Sequence, residues 1–359
     1  MNILITGIHG FVGTNLVQSL KSNHIIYGLD IVAPSKDGVV KTYSWNDLGE
    51  LPAIDAVIHL AGKAHDTKNQ TNAQVYFDIN TGLTQKIYDW FRSSSASKFI
   101  FFSSVKAAAD KVEGILTEEI DPTPLGPYGE SKIAAESYIL SLQSAVCSEE
   151  LRDSSLQFAV CSEEFRDNSL QSAVCSDKKL VLQTIDCKLQ TESPKLQTKN
   201  FFILRPCMIH GPGNKGNLNL LYNVVKKGIP YPLGAFENRR SFCSIDNLIF
   251  VLQGILEKDV ESGIYNVCDD EKVSTNELIE LISSSVGKKS RIWRISTPLI
   301  ELIAKVGTIL HLPLNTERLQ KLTENYVVSN AKIKKALGVD KMPVRSITGL
   351  VKTVKSFNK

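Results

Sequence analysis

The chain has 359 residues, 43% hydrophobic and 22% charged, the balance of an ordinary globular protein. That balance excludes a disordered chain, a collagen-like chain and a membrane bundle, and the length suits one large α/β domain or two smaller ones. Net charge is +3, from 41 basic and 38 acidic side chains, so no global field argues for nucleic acid.

Residues 2–6 are a short apolar run followed by Gly7, with neither a basic leader nor a cleavage site. They read as a buried first strand, not a signal peptide, and the expected location is the cytoplasm. Residues 13–22 show helical spacing through Leu16, Val17 and Leu20. Further apolar runs stand at 25–29, 56–60 and 99–103, separated by helix-length amphipathic stretches. Buried strands alternating with helices predict βαβ units and a doubly wound parallel sheet.

From Ser141 the pattern changes. SLQSAVCSEELRDS, SLQFAVCSEEFRDN and SLQSAVCSDKKL follow one another with a period of 14 residues. This is shorter than the roughly 20–50 residues of units that build a fold by stacking. The segment is expected to be a surface excursion, with a short helical hairpin or coiled segment as the alternative. Four of the seven cysteines, Cys147, Cys161, Cys175 and Cys187, were copied with it. No cysteine pair has metal-ligand spacing, so free thiols and no metal are expected. A strand resumes at Phe201, followed by a glycine-rich loop, a helix near 220–227, a strand at 263–267 and helices near 275–286 and 298–310. No stretch reaches the roughly 18 uncharged apolar residues of a membrane span; 295–312 is broken by Glu301 and Lys305. The expected organisation is a dinucleotide-binding domain over 1–140, the repeat insert over 141–199, and the last Rossmann strands with a smaller substrate-binding domain over 200–359.

Two clusters carry chemistry. Gly7, Gly10 and Gly13 lie between the first strand and first helix, where glycine lets the backbone approach a pyrophosphate at the helix N-terminus. Asp30 follows the second strand. A carboxylate there accepts hydrogen bonds from ribose hydroxyls and repels a 2′-phosphate, which favours NAD over NADP. Tyr128 and Lys132 are four residues apart at the start of a helix and share a face. A neighbouring ammonium and a nicotinamidium are together expected to lower the phenol pKa and ready Tyr128 as a proton acceptor. Ser103 and Ser104 end the preceding strand, where a hydroxyl meets the same substrate oxygen.

Together these residues resemble the extended short-chain dehydrogenase/reductase family, in particular its NAD-dependent nucleotide-sugar epimerases, dehydratases and 4-ketoreductases. Supporting motifs are the Asp55–Gly62 run DAVIHLAG, Asn80, the Leu204-Arg205-Pro206 and Gly211-Pro212-Gly213 strings, and Arg239-Arg240-Ser241-Phe242. The resemblance runs to about Ser141 and resumes from Phe201 to about Val339; the insert has no counterpart. It implies a Rossmann-type α/β fold with NAD held by Gly7, Gly10, Phe11, Val12, Gly13, Asp30, Leu60, Ala61, Gly62 and Asn80, together with Tyr128 and Lys132. It implies Ser104, Tyr128 and Lys132 as the catalytic set, and Asn217 and Arg240, with Ser104, as groups that hold a UDP-sugar. It further implies a homodimer and a part in polysaccharide precursor synthesis. His59 reads as packing. Three departures stand out. Met208 replaces an asparagine near the substrate, the aromatic-glycine pair after the serine is absent, and Val105-Lys106 replaces the Asp-Glu pair that dehydratases use. The reading is a 4-epimerase of a UDP-hexose or UDP-N-acetylhexosamine; the alternatives are a 4-ketoreductase of a 4-keto-6-deoxy sugar and a non-catalytic dinucleotide-binding protein.

Overall fold

The computed structural model describes residues 1–63, 72–143, 199–214, 216–309 and 315–357. The expectations for the repeat insert beyond residue 143 therefore lie outside the described residues. Contacts divide the chain into one compact unit, Met1–Glu136 with Lys199–Lys359, and a second, Ser137–Thr198. Of the second unit only 137–143, helical throughout, is described.

The main unit is built on seven parallel strands. In chain order they are β1 (Asn2–Thr6), β2 (Ile25–Leu29), β3 (Lys41–Tyr43), β4 (Ala56–His59), β5 (Lys98–Phe102), then, after the two-residue β6 (Ile115–Leu116), β7 (Asn200–Pro206). After two short strands, β8 (Met208–His210) and β9 (Arg240–Ser244), the seventh member is β10 (Gly263–Val267). The sheet order is β10-β7-β5-β4-β1-β2-β3. The chain winds outward from β1 in one direction and from β4 in the other, so the switch point lies between these two strands. Ligands of such sheets sit there, beyond the carboxyl ends of the strands.

The strands form because their runs are apolar on both faces. Ile3, Leu4, Ile5, Ala56, Val57 and Ile58 are all fully buried, as expected of a sheet covered by helices on both sides. The covering helices are α1 (Phe11–Leu20), α2 (Ala73–Tyr76) with α3 (Leu83–Ser93), the short α4 (Val105–Ala108), and α5 over residues 127–143. Between α2 and α3 the chain widens into a π-helical stretch, Phe77–Gly82, which turns Asn80 inward to full burial. On α3, Tyr88 and Phe91 stack at 5.7 Å, and Tyr88 meets Phe99 of β5 edge-on at 4.9 Å.

The remaining elements form the C-terminal lobe. They are α6 (Asn217–Lys226), α7 (Ile245–Glu257), β11 (Lys272–Val273), α8 (Thr275–Ser285), α9 (Thr297–Ile309), α10 (Thr316–Thr323), β12 (Val327–Val328), α11 (Ala331–Leu337) and α12 (Ser346–Ser356). Strands β8, β9 and β11 form a small mixed sheet, and β12 pairs with β6. Ser274 and Glu277 close a reciprocal capping box at the start of α8. Leu218, Tyr222, Phe242, Ile279, Ile282 and Leu350 give this lobe its own core.

Candidate active site

A cavity of about 650 Å³ opens beyond the carboxyl ends of β1, β4, β5 and β7. Its wall comes from the residues that follow each strand: Gly7 after β1, Leu60 and Gly62 after β4, Ser103 and Ser104 after β5, and Cys207 after β7. Arg240, Ser241, Phe242, Glu324 and Tyr326 close the opposite side.

The glycine loop is shaped for close approach. Gly7 has φ +68°, and a Cβ there would lie 2.9 Å from the Ala61 nitrogen. A Cβ on Gly13 would lie 2.7 Å from the Ile8 carbonyl oxygen. Gly10 is the N-cap of α1, and no side chain caps that helix start. The first-turn amides thus face the cavity through Phe11, Val12 and Gly13, the donor set that suits a pyrophosphate. Asp30 accepts hydrogen bonds from the His9 amide at 3.1 Å and the Ile31 amide at 2.8 Å, which ties the end of β2 to the loop. Lys36, unnoticed in the sequence, donates to the Ile8 carbonyl at 2.7 Å and to Thr14 at 2.8 Å. Burial lowers its pKa, against the nearby Asp30 charge, which raises it.

Lys132 lies deeper, only 5% exposed, and donates to the Phe102 carbonyl at 2.8 Å. Burial brings its pKa down to about 8, and the charge of Glu136, one turn further along α5, works the other way. Gly62 leaves the room this requires, since a Cβ there would sit 3.1 Å from Lys132 Nζ and 2.9 Å from Asn80 Oδ1. Asn80 accepts from the Lys63 amide at 2.8 Å and donates to Ser131 at 2.9 Å, joining the β4 loop to α5. Tyr128 stands on the cavity wall beside Tyr76, edge-on at 6.4 Å, with a hydrogen bond between its phenol and Ser104. The protein's own groups, without a nicotinamidium, work against the expected lowering. Burial pushes the Tyr128 phenol above its ordinary range, and the Ser104 hydrogen bond only partly offsets it. Desolvation of the phenolate outweighs the favourable neighbours.

Behind this constellation is a buried ion pair that sequence reasoning missed. Arg205 grips the Glu136 carboxylate through Nε at 3.0 Å and Nη2 at 2.5 Å, and Ser103 donates to the same carboxylate. Both residues are essentially inaccessible. The only sequence signal was the i, i+4 spacing of Lys132 and Glu136. Arg205 arrives from 69 residues further on. Lys106, two residues past Ser104, also lines the cavity and pairs with Asp110 at 3.1 Å.

The fold brings Gly7, Gly10, Phe11, Val12, Gly13, Leu60, Gly62, Ser104, Tyr128 and Lys132, with Arg240 across from them, around one cavity. Ala61, Asn80 and Asp30 support the wall without forming it. Asn217 opens α6, and only its backbone is described. Burial lowers the Arg240 pKa, while Glu324 and Tyr231 raise it. His59 is packing, as expected. It is fully buried between the Thr6 and Thr84 hydroxyls, and burial holds its pKa at about 3.

Residues 3–148 match the sequence profile of the NAD dependent epimerase/dehydratase family. Over those residues the chain resembles that family. The matches together make it an NAD-dependent enzyme of the epimerase/reductase class, and its glycine cradle and uncapped α1 start fit the cofactor. It is 28% identical over 316 residues to a UDP-glucose 4-epimerase from Vibrio cholerae, covering 83% of this chain and 79% of that protein. It is 24% identical over 347 residues to the N-acetyl-alpha-D-glucosaminyl-diphospho-ditrans,octacis-undecaprenol 4-epimerase of Escherichia coli O157:H7, covering 93% and 85%. The chain shares its architecture with the UDP-glucuronic acid 4-epimerase of Bacillus cereus solved with NAD, with a TM-score of 0.64, 18% identity, and coverage of 100% and 99%. Among the described residues no cluster of His, Cys, Asp or Glu is arranged to hold a metal. None of the described helices is long and apolar enough to cross a membrane.

Proposed function

We propose that the enzyme is a 4-epimerase of a UDP-hexose or UDP-N-acetylhexosamine, with Ser104, Tyr128 and Lys132 as its catalytic residues. The observation that carries this is the Ser104–Tyr128 hydrogen bond on the cavity wall, with Lys132 one turn along the same helix and Gly62 opposite. Bound NAD supplies a hydride acceptor that later returns the hydride. Ser104 and Tyr128 converge on the sugar C4 hydroxyl. Tyr128 accepts its proton as the C4–H bond breaks, and gives it back to the 4-keto oxygen when hydride returns to the other face. Lys132 stabilises the transient phenolate and orients the ribose. Arg240 suits the substrate diphosphate, because a guanidinium meets phosphate oxygens bidentately. Lys63, Lys106, Lys132 and Arg240 outnumber Glu324 in the wall, which favours an anionic ligand. Dehydration is disfavoured, because the residue beside the catalytic hydroxyls is a lysine paired with Asp110 and not a free acid.

A second reading, a 4-ketoreductase using NADPH, draws support from Lys36. Its ammonium lies close enough to Asp30 to feel that charge, and a cation there suits a 2′-phosphate. The test is incubation of the enzyme with UDP-glucose, UDP-N-acetylglucosamine and a UDP-4-keto-6-deoxy sugar, each with and without NADH or NADPH. Interconversion of C4 epimers without added cofactor is the expected result. Turnover only of the keto sugar, with consumption of NADPH, establishes the reductase instead.

A further inference from the structure

Helix α9 is apolar on both sides. Its inner face, Ile300 and Ala304, packs with Leu233 and Leu319 in a small separate core. Its outer face carries Leu299, Leu302, Ile303, Val306 and Ile309, between 44% and 75% exposed. These positions follow a helical stripe, and only Glu301 and Lys305 interrupt it. Scattered apolar residues are normal on a surface, but five in one stripe on one helix are not.

The flanking chain identifies the occupant. Lys288, Lys289, Arg291 and Arg294 fall within seven residues just before α9, and no acidic residue occurs between Leu281 and Ile300. Trp293, in the middle of this cluster, is 56% exposed. The cluster is held in place: Lys288 donates to the Lys226 carbonyl at 2.6 Å and Arg291 to the Gly228 carbonyl at 3.2 Å. That places Lys226, Lys227 and the exposed Ile229 beside it. Cations, an exposed tryptophan and an apolar helical stripe together make the surface of an interfacial helix, in which charge meets anionic headgroups and the apolar face enters the acyl boundary. A protein partner for the stripe alone would not need the basic rim.

We propose that α9 and the 288–294 segment dock the enzyme onto an anionic lipid bilayer as a peripheral protein. The docking surface is joined to the cavity. Helix α10 packs on α9 through Leu319 and runs directly into Glu324 and Tyr326 of the cavity wall. The docked enzyme would therefore hold its sugar-binding end near the membrane, whichever nucleotide sugar it uses.

The test is co-sedimentation of the full chain with phosphatidylcholine vesicles, with and without phosphatidylglycerol. Binding to the anionic vesicles should exceed binding to the neutral ones by more than about tenfold and should weaken with salt. The exposed pair Leu302→Glu/Val306→Glu and the pair Lys288→Glu/Lys289→Glu should each lose most of this binding. Turnover of a soluble UDP-sugar should stay unchanged in both, which separates failure of docking from failure of the catalytic reading. The proposal is overturned if wild type stays in the supernatant with anionic vesicles, or if both variants still sediment with them. It is also overturned if wild type runs as a dimer that Leu302→Glu/Val306→Glu converts to monomer, since a second copy then covers the face.

Discussion

Tyr128 and Lys132 are tuned against their resting chemistry. The phenol is pushed up and the ammonium down to about 8, both by burial. Tyr128, as the proposed base, is hard to ionise and needs its partner charged when the substrate proton moves. Tyr128→Phe should therefore lower turnover by about 10²–10⁴-fold with little change in NAD affinity, measured by steady-state kinetics and cofactor titration. The Glu136–Arg205 pair acts on the same lysine at one remove. Glu136→Gln leaves a buried guanidinium without its counter-charge, and should cost about 3–5 kcal/mol in urea unfolding. Replacing both partners, as Glu136→Leu with Arg205→Met, should recover most of that stability. Glu136 raises the Lys132 pKa, so this double variant should titrate Lys132 lower. The ammonium is present below about pH 8 and lost above it. The alkaline fall of kcat/KM, which reports the free enzyme, should thus begin near pH 8 in wild type and at lower pH in the double variant.

Among the elements, the turn after β4 is the most constrained, because Gly62 is wedged between Asn80 and Lys132. Gly62→Ala should leave the fold intact but force one of these side chains aside, at about 1–3 kcal/mol. The expected result is a modest drop in melting temperature and at least about tenfold weaker NAD binding. This turn and the glycine loop were legible in the sequence because their signals are local. Strands β1, β2 and β10 were legible to the residue, since each is a short, mostly apolar run set off from polar or glycine-rich neighbours. The start of α6 shifted by three residues, where Gly216 is the N-cap, while its end, the end of α8 and the start of α9 shifted by one; the start of α8, capped by Ser274, was legible to the residue. Strands β6 and β12 were invisible. Each is two residues long and exists only because Val327 pairs with Ile115 across the fold. Helix α7 carries seven buried residues yet passed unread beside the motif that precedes it. Glu136 and Arg205 escaped for the same reason as β6: the partner that gives each its meaning is remote in sequence.

For the molecule as a whole, the large insertion between α5 and β7 is the feature a short connection would not predict. Closing a longer loop costs only about 0.6 kcal/mol per doubling of length. We expect that replacing residues 144–198 with a short Gly/Ser linker preserves melting temperature, cofactor binding and oligomeric state. A destabilised or newly monomeric product would make the insert structural. Chain re-entry is secured on the main unit itself. Lys199 donates to the carbonyls of Phe91 at 2.7 Å and Ser94 at 2.6 Å, closing the end of α3, and the Asn200 amide bonds the Ser97 carbonyl at 2.8 Å. Strand β7 then aligns on β5 from Lys98↔Asn200 to Phe102↔Leu204. The register is thus written in residues 199–204 and not in the length or content of what precedes them. Covalent continuity becomes dispensable at this point. Two polypeptides, 1–143 and 199–359, expressed together should co-elute as one complex and regain NAD binding, so that a single gene or a split pair would encode the same enzyme.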